Sequence, residues 1–505
     1  MEGKEETLAL VYLDYAATTP LDPEVQQAMR EVEGIFGNPS SIHRFGQEAR
    51  RVLEGARERI ASLLGVRPRE VVFTGSGSEA DALALLGVAL AKGKGHVVST
   101  EVEHSAVLGA LRLLERLGFA VTRLRPDRLG LVYPEQVEEA LRPDTILVSV
   151  MAANNELGTL YPIREMAEIA HGALFHTDAV QAVGQVPFRV DEVGADLVSL
   201  SAHKFYGPKG IGALLVRHGV DLFPLVPGKQ EGGRRGGTQS PVLAHGMAVA
   251  LEKALRLLPE ESSRLLASRK RLEAGLLSVE GVELNGHPER RLPKLVNVTV
   301  KGADGEALLL AMDLMGVAVS SGSACSAGSL EPSHVLLAIG RSPREARASL
   351  RFSLGRYTTE AEVDRAVEVF REAVARALSR LRPGEHPLEV AAEVGGLELV
   401  AIAGVYLEGY RQGLPLVLDG FPVSAGALLA YRLEPGLKEY LFAGHLSREP
   451  GHRYILEALG LRPLLDLHLA LGEGTGAVLA MPLLRAAARI LHMATFEEAG
   501  VSDRQ

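Results

Sequence analysis

Cysteine is almost absent from this chain, since Cys325 is the only one among 505 residues. A single thiol cannot form an intrachain disulfide, and it excludes a structural zinc site built from several thiolates. A lone cysteine is more often a small buried hydrophobic residue than a nucleophile. The residues around Cys325 must therefore decide between these two roles.

Long apolar runs and an excess of basic residues are also lacking. The longest apolar run, 82–91, has about half the length of a membrane span, and the first residues lack the basic-then-apolar pattern of a signal peptide. A formal net charge of -9 provides no basic surface for the phosphates of nucleic acid. We therefore expect a cytoplasmic protein that has neither a membrane nor nucleic acid as a partner.

The composition, 47% hydrophobic and 23% charged, is that of globular protein, and the length exceeds what one hydrophobic core usually supports. Two prolines and a glycine in 382–387 interrupt a helical pattern and indicate a linker at 383–388. The predicted organisation is a first domain at 1–382, with a large part at about 15–258 and a small α+β part formed by 1–14 and 259–382, then a separate piece at 389–505.

Short β-rich runs alternate with longer helical patterns through the first domain. This alternation predicts an α/β fold with a mostly parallel sheet and helices on both faces. The predicted strands are 71–74, 97–100, 146–150, 174–177, 197–199 and 213–216. Functional side chains of such a sheet are expected at the carboxyl ends of the strands, and the polar clusters follow those ends: 74–79, 154–155, Asp178 and 201–204.

The first cluster, Thr74-Gly-Ser-Gly-Ser-Glu79, lies between a strand and a helix. Its glycines allow backbone N–H groups to approach an anion, and a helix N-terminus favours negative charge, so the cluster could bind a phosphate. An ordinary strand-to-helix turn is about as good an interpretation of these residues alone.

Asp178 and Lys204 each follow a predicted strand. An aspartate in this position could keep a pyridinium nitrogen protonated, although it could equally cap the next helix. Lys204 follows a buried-looking strand directly, which is a poor place for a solvated surface lysine and a good one for a Schiff-base lysine. Lys209, farther along, is interpreted as a surface residue.

The order of the 74–79 cluster, Asp178 with Gln181, and Ser201-Ala-His-Lys204 resembles that of fold-type I pyridoxal-phosphate enzymes. Further segments resemble the cysteine desulfurases of the iron–sulfur-cluster assembly branch, over about residues 10–380. They are Asp14-Tyr-Ala-Ala-Thr-Thr-Pro20, Gly37-Asn-Pro-Ser-Ser-Ile-His43, Glu103-His104, Asn154-Asn-Glu-Leu-Gly158, Ser320-Ser-Gly-Ser-Ala-Cys325 and Arg351-Phe-Ser-Leu-Gly-Arg356.

The resemblance implies pyridoxal 5'-phosphate as cofactor and a role for each matching residue. Lys204 would hold the cofactor and move the substrate Cα proton, while His104 would stack on the ring and assist acid–base steps. Asp178 would pair with the pyridine nitrogen and Gln181 with the phenolic oxygen. The phosphate would be held by Gly77, Ser78, Ser201 and His203, with Thr238 reaching in from the other subunit of a homodimer.

The substrate implied by the resemblance is L-cysteine, oriented by Asn155, which also contacts the cofactor, and by Arg351 through its carboxylate. Cys325 would attack the substrate sulfur, yielding alanine and a persulfide that passes to an acceptor such as an iron–sulfur scaffold protein. Serine and glycine surround Cys325 on both sides, which is unlike a core position. Two departures are a lysine in Pro227-Gly-Lys-Gln-Glu231 and the absence of the family's usual C-terminal tail.

The piece after 388 resembles the C-terminal part of nicotinate-nucleotide:dimethylbenzimidazole phosphoribosyltransferase, a cobalamin-assembly enzyme. The matching segments are Gly395-Gly-Leu-Glu398, Leu416-Val-Leu-Asp-Gly-Phe421, Glu449-Pro-Gly-His452, Leu471-Gly-Glu-Gly-Thr-Gly476 and Met493-Ala-Thr-Phe-Glu-Glu-Ala-Gly-Val501. Glu473 matches that family's general base, although a helix-capping role is also open. Because the N-terminal part of that family is absent, we expect this piece to be inactive alone. It could serve as a packing or oligomerisation element, or it could result from a gene fusion.

Two other functions remain as alternatives. One is an aminotransferase reaction on the same fold, for which Cys325 would have no use. The other is a fusion protein that performs the phosphoribosyl transfer of cobalamin synthesis.

Overall fold

The computed structural model describes residues 10–321, 332–379, 387–388, 396–467 and 474–490. The chain divides into two compact units, Met1–Leu378 and Ser379–Gln505. This division lies beside the predicted linker, of which 383–386 fall outside the described residues. In the described part, no helix has both the length and the apolar character needed to cross a bilayer.

Seven strands form the central sheet of the first unit. They stand in the order β2-β8-β7-β6-β5-β3-β4, and the five strands β3 to β7 run parallel to one another. Strand β8 is antiparallel to both β2 and β7, so the sheet is mostly rather than wholly parallel. The strands of the unit are β1 (Val11–Tyr12), β2 (Val71–Thr74), β3 (His96–Thr100), β4 (Ala120–Leu124), β5 (Thr145–Ser149), β6 (Leu174–Asp178), β7 (Leu197–Ser201), β8 (Gly212–Val216), β9 (Val282–Asn285), β10 (Leu295–Val300), β11 (Val317–Ala318) and β12 (Ser349–Ser353).

Both faces of this sheet are buried, because successive side chains of a strand point to opposite faces. In β8, Ala213 and Leu215 belong to one hydrophobic cluster, whereas Leu214 and Val216 belong to another. Strands covered on both faces read as continuous apolar runs, which is why the sequence showed no polar alternation. The predicted α/β fold class is confirmed.

Helices of the first unit cover the sheet and build the small part. Helix α8 (Pro241–Leu277) runs without a break through Pro259. The helices are α1 (Pro23–Val32), α2 (Arg44–Leu64), α3 (Gly77–Lys92), α4 (Ser105–Arg116), α5 (Pro134–Ala140), α6 (Ile163–Ile169), α7 (Val190–Val193), α8 (Pro241–Leu277), α9 (Gly305–Leu314), α10 (His334–Ala338), α11 (Pro343–Arg347) and α12 (Glu360–Ser379).

A second hydrophobic core lies around a three-stranded antiparallel sheet of order β12-β10-β9. Residues from both ends of the first unit share this core, for example Leu13, Val298, Phe352 and Phe370. Strand β1 also pairs with β11, so the N-terminal segment is tied to residues more than 300 positions later. This pairing brings Asp14 beside Arg351.

The second unit has a small core of its own. It contains a parallel pair of strands and four described helices packed around residues such as Leu418, Ala430 and Leu459. The elements are α13 (Leu397–Arg411), β13 (Leu416–Leu418), α14 (Phe421–Leu433), β14 (Leu441–Ala443), α15 (Pro450–Leu459) and α16 (Thr475–Ile490). Asp419 follows β13 and accepts hydrogen bonds from the N–H groups of Gly474 and Ala477 at the start of α16, at 3.1 and 3.0 Å.

Candidate active site

A cavity of about 800 Å³ lies beyond the carboxyl ends of the central strands. Strand order reverses here, because β4 and β5 lie on opposite sides of β3, and α/β sheets bind ligands at such a switch point. Ten of the predicted site residues line the cavity: Gly77, Ser78, His104, Asn155, Asp178, Gln181, Ser201, His203, Lys204 and Arg351.

One end of the cavity is formed by the N-terminus of α3. The Ser76 side chain caps this helix by accepting a hydrogen bond from the Glu79 N–H at 3.1 Å. A Cβ atom on Gly77 would lie 3.0 Å from Val180 and 3.1 Å from Ser201, so glycine permits the close approach of α3 to the end of β7. Free N–H groups and the helix dipole make this end suitable for a phosphate. Glu79 instead pairs with Arg235 at 2.7 Å.

Lys204 and Asp178 both reach the cavity from strand ends. Lys204 lies in a 3-10 turn directly after β7, and its Nζ donates to the carbonyl oxygens of Ala16 and Ala17 at 2.5 and 2.7 Å. Asp178 is the last residue of β6, and its Oδ1 accepts from the Val180 N–H at 3.0 Å. Burial raises the pKa of the Asp178 carboxyl, and the positive charge of Lys204 partly opposes this rise.

Two histidines line the cavity in different environments. His104 caps α4, and its Nδ1 accepts from the Ala106 N–H at 3.2 Å, which leaves the proton of a neutral ring on Nε2. His203 Nδ1 is 3.0 Å from the Thr18 hydroxyl. Burial and the charges of Lys204 and Lys209 lower the pKa of His203 to about 4, so this ring is neutral at pH 7.

Arg351 provides a buried guanidinium at the cavity. It is 1% exposed, and its Nη1 and Nη2 donate to the Asn155 carbonyl and to Asp14, both at 2.8 Å. Its Nε has no partner among the described residues. A guanidinium fixed on one side and unsatisfied on another is suited to bind a carboxylate.

The structure adds buried ionisable residues to which the sequence assigned no role. Asp81 lines the cavity, and burial together with the Asp178 carboxyl raises its pKa well above the usual value. Burial raises the pKa of Glu103 to about 8 and lowers that of Lys294 to about 7, the latter with help from Lys204 and Arg351. Asp81 could not be distinguished from a surface residue, since Ala-Asp-Ala in a helix carries no sign of burial.

Among the described residues, one predicted site residue does not line the cavity. Thr238 is exposed in the single chain, and its predicted role requires a second subunit. Cys325 and Glu473 lie outside the described residues. Lys209, interpreted as a surface residue, is exposed but also lines the cavity.

Both ends of the segment that contains Cys325 lie at the cavity. On one side, Ser320 exchanges backbone hydrogen bonds with Arg351 at 2.7 and 3.1 Å. On the other side, Pro332 and His334 line the cavity. Cys325 follows Ser320 by five positions, a span of at most about 18 Å.

The cavity fits pyridoxal phosphate on the chemistry of its donors and acceptors. Within the described part of the chain, Gln181 Oε1 and Arg351 Nε are buried without partners, as expected of groups that await a ligand. A helix N-terminus with Ser78 and Ser201 offers donors for a phosphate, and Asp178 offers a carboxylate for a ring nitrogen. Lys204 lies in the same cavity.

Two protein families match the chain. Residues 11–366 match the family described as Aminotransferase class-V, and residues 301–501 match the family described as Phosphoribosyltransferase. The second match confirms the resemblance of the C-terminal piece. It overlaps the first over 301–366, where β12 and part of α12 pack in the core of the first unit.

The chain matches curated relatives over nearly their whole length. Cysteine desulfurase IscS of Dictyoglomus turgidum is 48% identical over 381 residues, which are 74% of this chain and 96% of the relative. Cysteine desulfurase IscS of Methanosarcina thermophila is 46% identical over 385 residues, with 74% and 95% covered.

Solved structures show the same similarity. A NifS-like protein is 37% identical with a TM-score of 0.68, covering 72% of this chain and 99% of its own. The structure titled SspA in complex with cysteine is 39% identical with a TM-score of 0.61, covering 69% and 100%. These matches, together with the cavity, show that the chain belongs to the class-V aminotransferase family and is a pyridoxal-phosphate-dependent cysteine desulfurase.

Proposed function

We propose that this enzyme converts L-cysteine to L-alanine and retains the sulfur as a persulfide on Cys325. The supporting observation is that both ends of the segment containing Cys325 lie at the cavity that Lys204 and Arg351 line. An aminotransferase reaction would not use the Cys325 thiol.

The predicted site residues that line the cavity each have a role in this reaction. Arg351 binds the substrate carboxylate through its unpaired Nε edge, with Asn155 beside it. Asp178 holds the ring nitrogen, Gln181 the phenolic oxygen, and Gly77, Ser78, Ser201 and His203 the phosphate. When bound, the cofactor supplies an electron sink conjugated to the substrate Cα. Lys204 holds the cofactor and moves the Cα proton, and His104 assists through its Nε2.

The sulfur transfer balances without an external oxidant. The Cys325 thiolate attacks the substrate sulfur, an S–S bond forms, and the substrate C–S bond breaks with its electron pair remaining on Cβ. Protonation of Cβ completes the methyl group of alanine. The persulfide then passes to an acceptor protein, such as an iron–sulfur scaffold, or to another thio-cofactor pathway.

Alanine formation tests this proposal. The parent enzyme with L-cysteine and a thiol reductant should release alanine and sulfide in equal amounts. Cys325→Ala should keep the visible absorbance of cofactor bound to Lys204 and lose turnover, whereas Lys204→Ala should lose both. Turnover by Cys325→Ala at the parent rate would contradict the persulfide step.

A homodimer is part of the proposal. Phe36, Ile42 and Phe45 expose 79%, 87% and 54% of their surface, and the two phenylalanine rings lie 5.1 Å apart. Exposed apolar clusters of this kind usually mark an interface. Light scattering should give the mass of two chains, and Ile42→Asp should shift it toward one. An unchanged mass for Ile42→Asp would exclude this cluster from the interface.

For the second unit we propose no independent catalysis. Part of its family match, 301–366, belongs to the first unit, so the second unit retains only the remainder of that family's region. Incubation of the full chain with nicotinate mononucleotide and dimethylbenzimidazole should therefore yield no nucleotide product. Product formation that Glu473→Gln abolishes would support the cobalamin-pathway alternative.

A further inference from the structure

Asp81 is a buried carboxyl group at the active-site cavity. It lies one turn into α3, the helix whose N-terminus forms the phosphate end, and its side chain is 2% exposed. The neighbouring helix residues Ala80, Leu83 and Ala84 are apolar and fully buried. A carboxylate in such a place is strongly unfavourable unless a cation or several donors compensate its charge.

The described surroundings of Asp81 provide no cation. His176 Nε2 lies 3.6 Å from Asp81 Oδ1, but burial lowers the pKa of this histidine to about 3, so the ring is neutral. His176 is instead held by the hydroxyl groups of Ser149 and Ser199, at 2.8 and 2.9 Å. Asp81 Oδ1 receives no hydrogen bond from any described residue. The other charged groups acting on Asp81 are the carboxyls of Asp178 and Glu103.

Asp81 and Asp178 line the same cavity, and the Asp178 carboxyl is one of the groups that raise the pKa of Asp81. Two neighbouring carboxyls can form a hydrogen bond only when one of them carries a proton. The surroundings decide which one. Asp178 accepts a hydrogen bond from the Val180 N–H and lies in the field of the positively charged Lys204. Asp81 has only the Ser199 hydroxyl to offset its charge, so the proton resides on Asp81 and the negative charge on Asp178.

We propose that Asp81 is a positioning residue whose carboxylic acid donates a hydrogen bond to Asp178 and holds the Asp178 carboxylate toward the cofactor's ring nitrogen. This inference rests on the proposed role of Asp178. A carboxylate that already accepts two hydrogen bonds is less basic, so the shared proton stays on the ring nitrogen rather than moving to Asp178. Asp81 thereby fixes both the direction and the charge of its neighbour.

Variants that differ in hydrogen-bond donation test the inference. Asp81→Asn is neutral and keeps an N–H donor at nearly the same volume, whereas Asp81→Ala and Asp81→Leu remove the donor, the second while filling the space. The readouts are the dissociation constant for pyridoxal phosphate added to cofactor-free protein and the pH midpoint of its visible absorbance. Circular dichroism of the cofactor-free variants checks the fold.

Asp81→Asn should bind the cofactor within about threefold of the parent, while the two donor-free variants should bind about tenfold more weakly and shift the pH midpoint. If Asp81→Leu or Asp81→Ala folds and matches the parent in both readouts, the inference is overturned. Equal damage in Asp81→Asn and Asp81→Leu would also overturn it.

Asp178→Asn separates this inference from the proposed function. If Asp178→Asn weakens cofactor binding and the donor-free Asp81 variants do not, only the role of Asp81 fails. If Asp178→Asn leaves cofactor binding and absorbance unchanged, the proposed role of Asp178 itself is wrong.

Discussion

Glu103 shows how a single buried residue sets a response to pH. Its Oε1 accepts from the Thr100 hydroxyl and the Met151 N–H at 2.9 and 3.1 Å, while its Oε2 has no partner among the described residues. Burial raises its pKa to about 8. Between the unfolded pKa near 4.5 and this value, the folded state retains a proton that the unfolded state lacks, so stability falls as pH rises.

Glu103→Gln should remove that part of the pH dependence. The amide oxygen can keep both hydrogen bonds, and no charge forms at high pH. The free energy of unfolding at pH 8 should rise by on the order of 3 kcal/mol over the parent, with little change at pH 5. Urea titration of cofactor-free protein at both pH values measures this, with exposed Glu138→Gln as control. Equal pH slopes for Glu103→Gln and parent would contradict the assignment.

From the sequence, site residues at the ends of strands could be identified more readily than buried ionisable residues elsewhere in the chain. Asp178, Ser201 and Lys204 follow apolar runs directly, and such runs point their last residues to one edge of the sheet. Asp81 and Lys294 acquire their surroundings from chain segments far away in sequence. Only the packing of those segments identifies them as buried.

The elements were predicted where burial on both faces leaves a continuous apolar run. Strand β2 has the predicted bounds, and β6 extends one residue beyond them. Strand β4 was not predicted, because it lies at the sheet edge and is mostly half-buried. Ten residues connect β7 to β8. This connection is too short for the crossover that a parallel pair requires, so β8 runs antiparallel to β7.

The start of α3 carries a prediction for the phosphate end. In Gly77→Ala the added methyl group would press on Val180 and Ser201 and displace the helix N-terminus from the cavity. The dissociation constant for pyridoxal phosphate should rise about tenfold, measured by absorbance titration. Gly55→Ala in α2 is the matched control, because its added Cβ meets nothing within 4 Å, and it should leave cofactor affinity unchanged. Parent affinity in Gly77→Ala would contradict this role of α3.

At the scale of the whole molecule, each unit contains its own hydrophobic core. The clusters of the first unit lie within residues 11–374, and the cluster of the second within 403–459. The sequence indicated two pieces because a proline-rich segment interrupts a helical pattern. Residues 301–366, which were assigned to the first domain from the sequence, pack in the first unit although they also match the second family.

A chain that ends at residue 379 should therefore keep its cofactor and its activity. Because no core residue of the first unit is removed, alanine formation should stay within about twofold of the full chain. Steady-state rates and the visible absorbance of both proteins measure this. A truncated protein that folds but loses cofactor would show that the second unit contributes to the active site.

The most direct test of the proposed function is the mass of the enzyme after one turnover without reductant. Intact-mass and peptide analysis should find one added sulfur atom on the peptide containing Cys325, with one alanine released per active site. Cys325→Ala should gain no sulfur and release no such burst of alanine. A burst of alanine with sulfur on no peptide, or an equal burst from Cys325→Ala, would contradict the proposal that Cys325 accepts the sulfur.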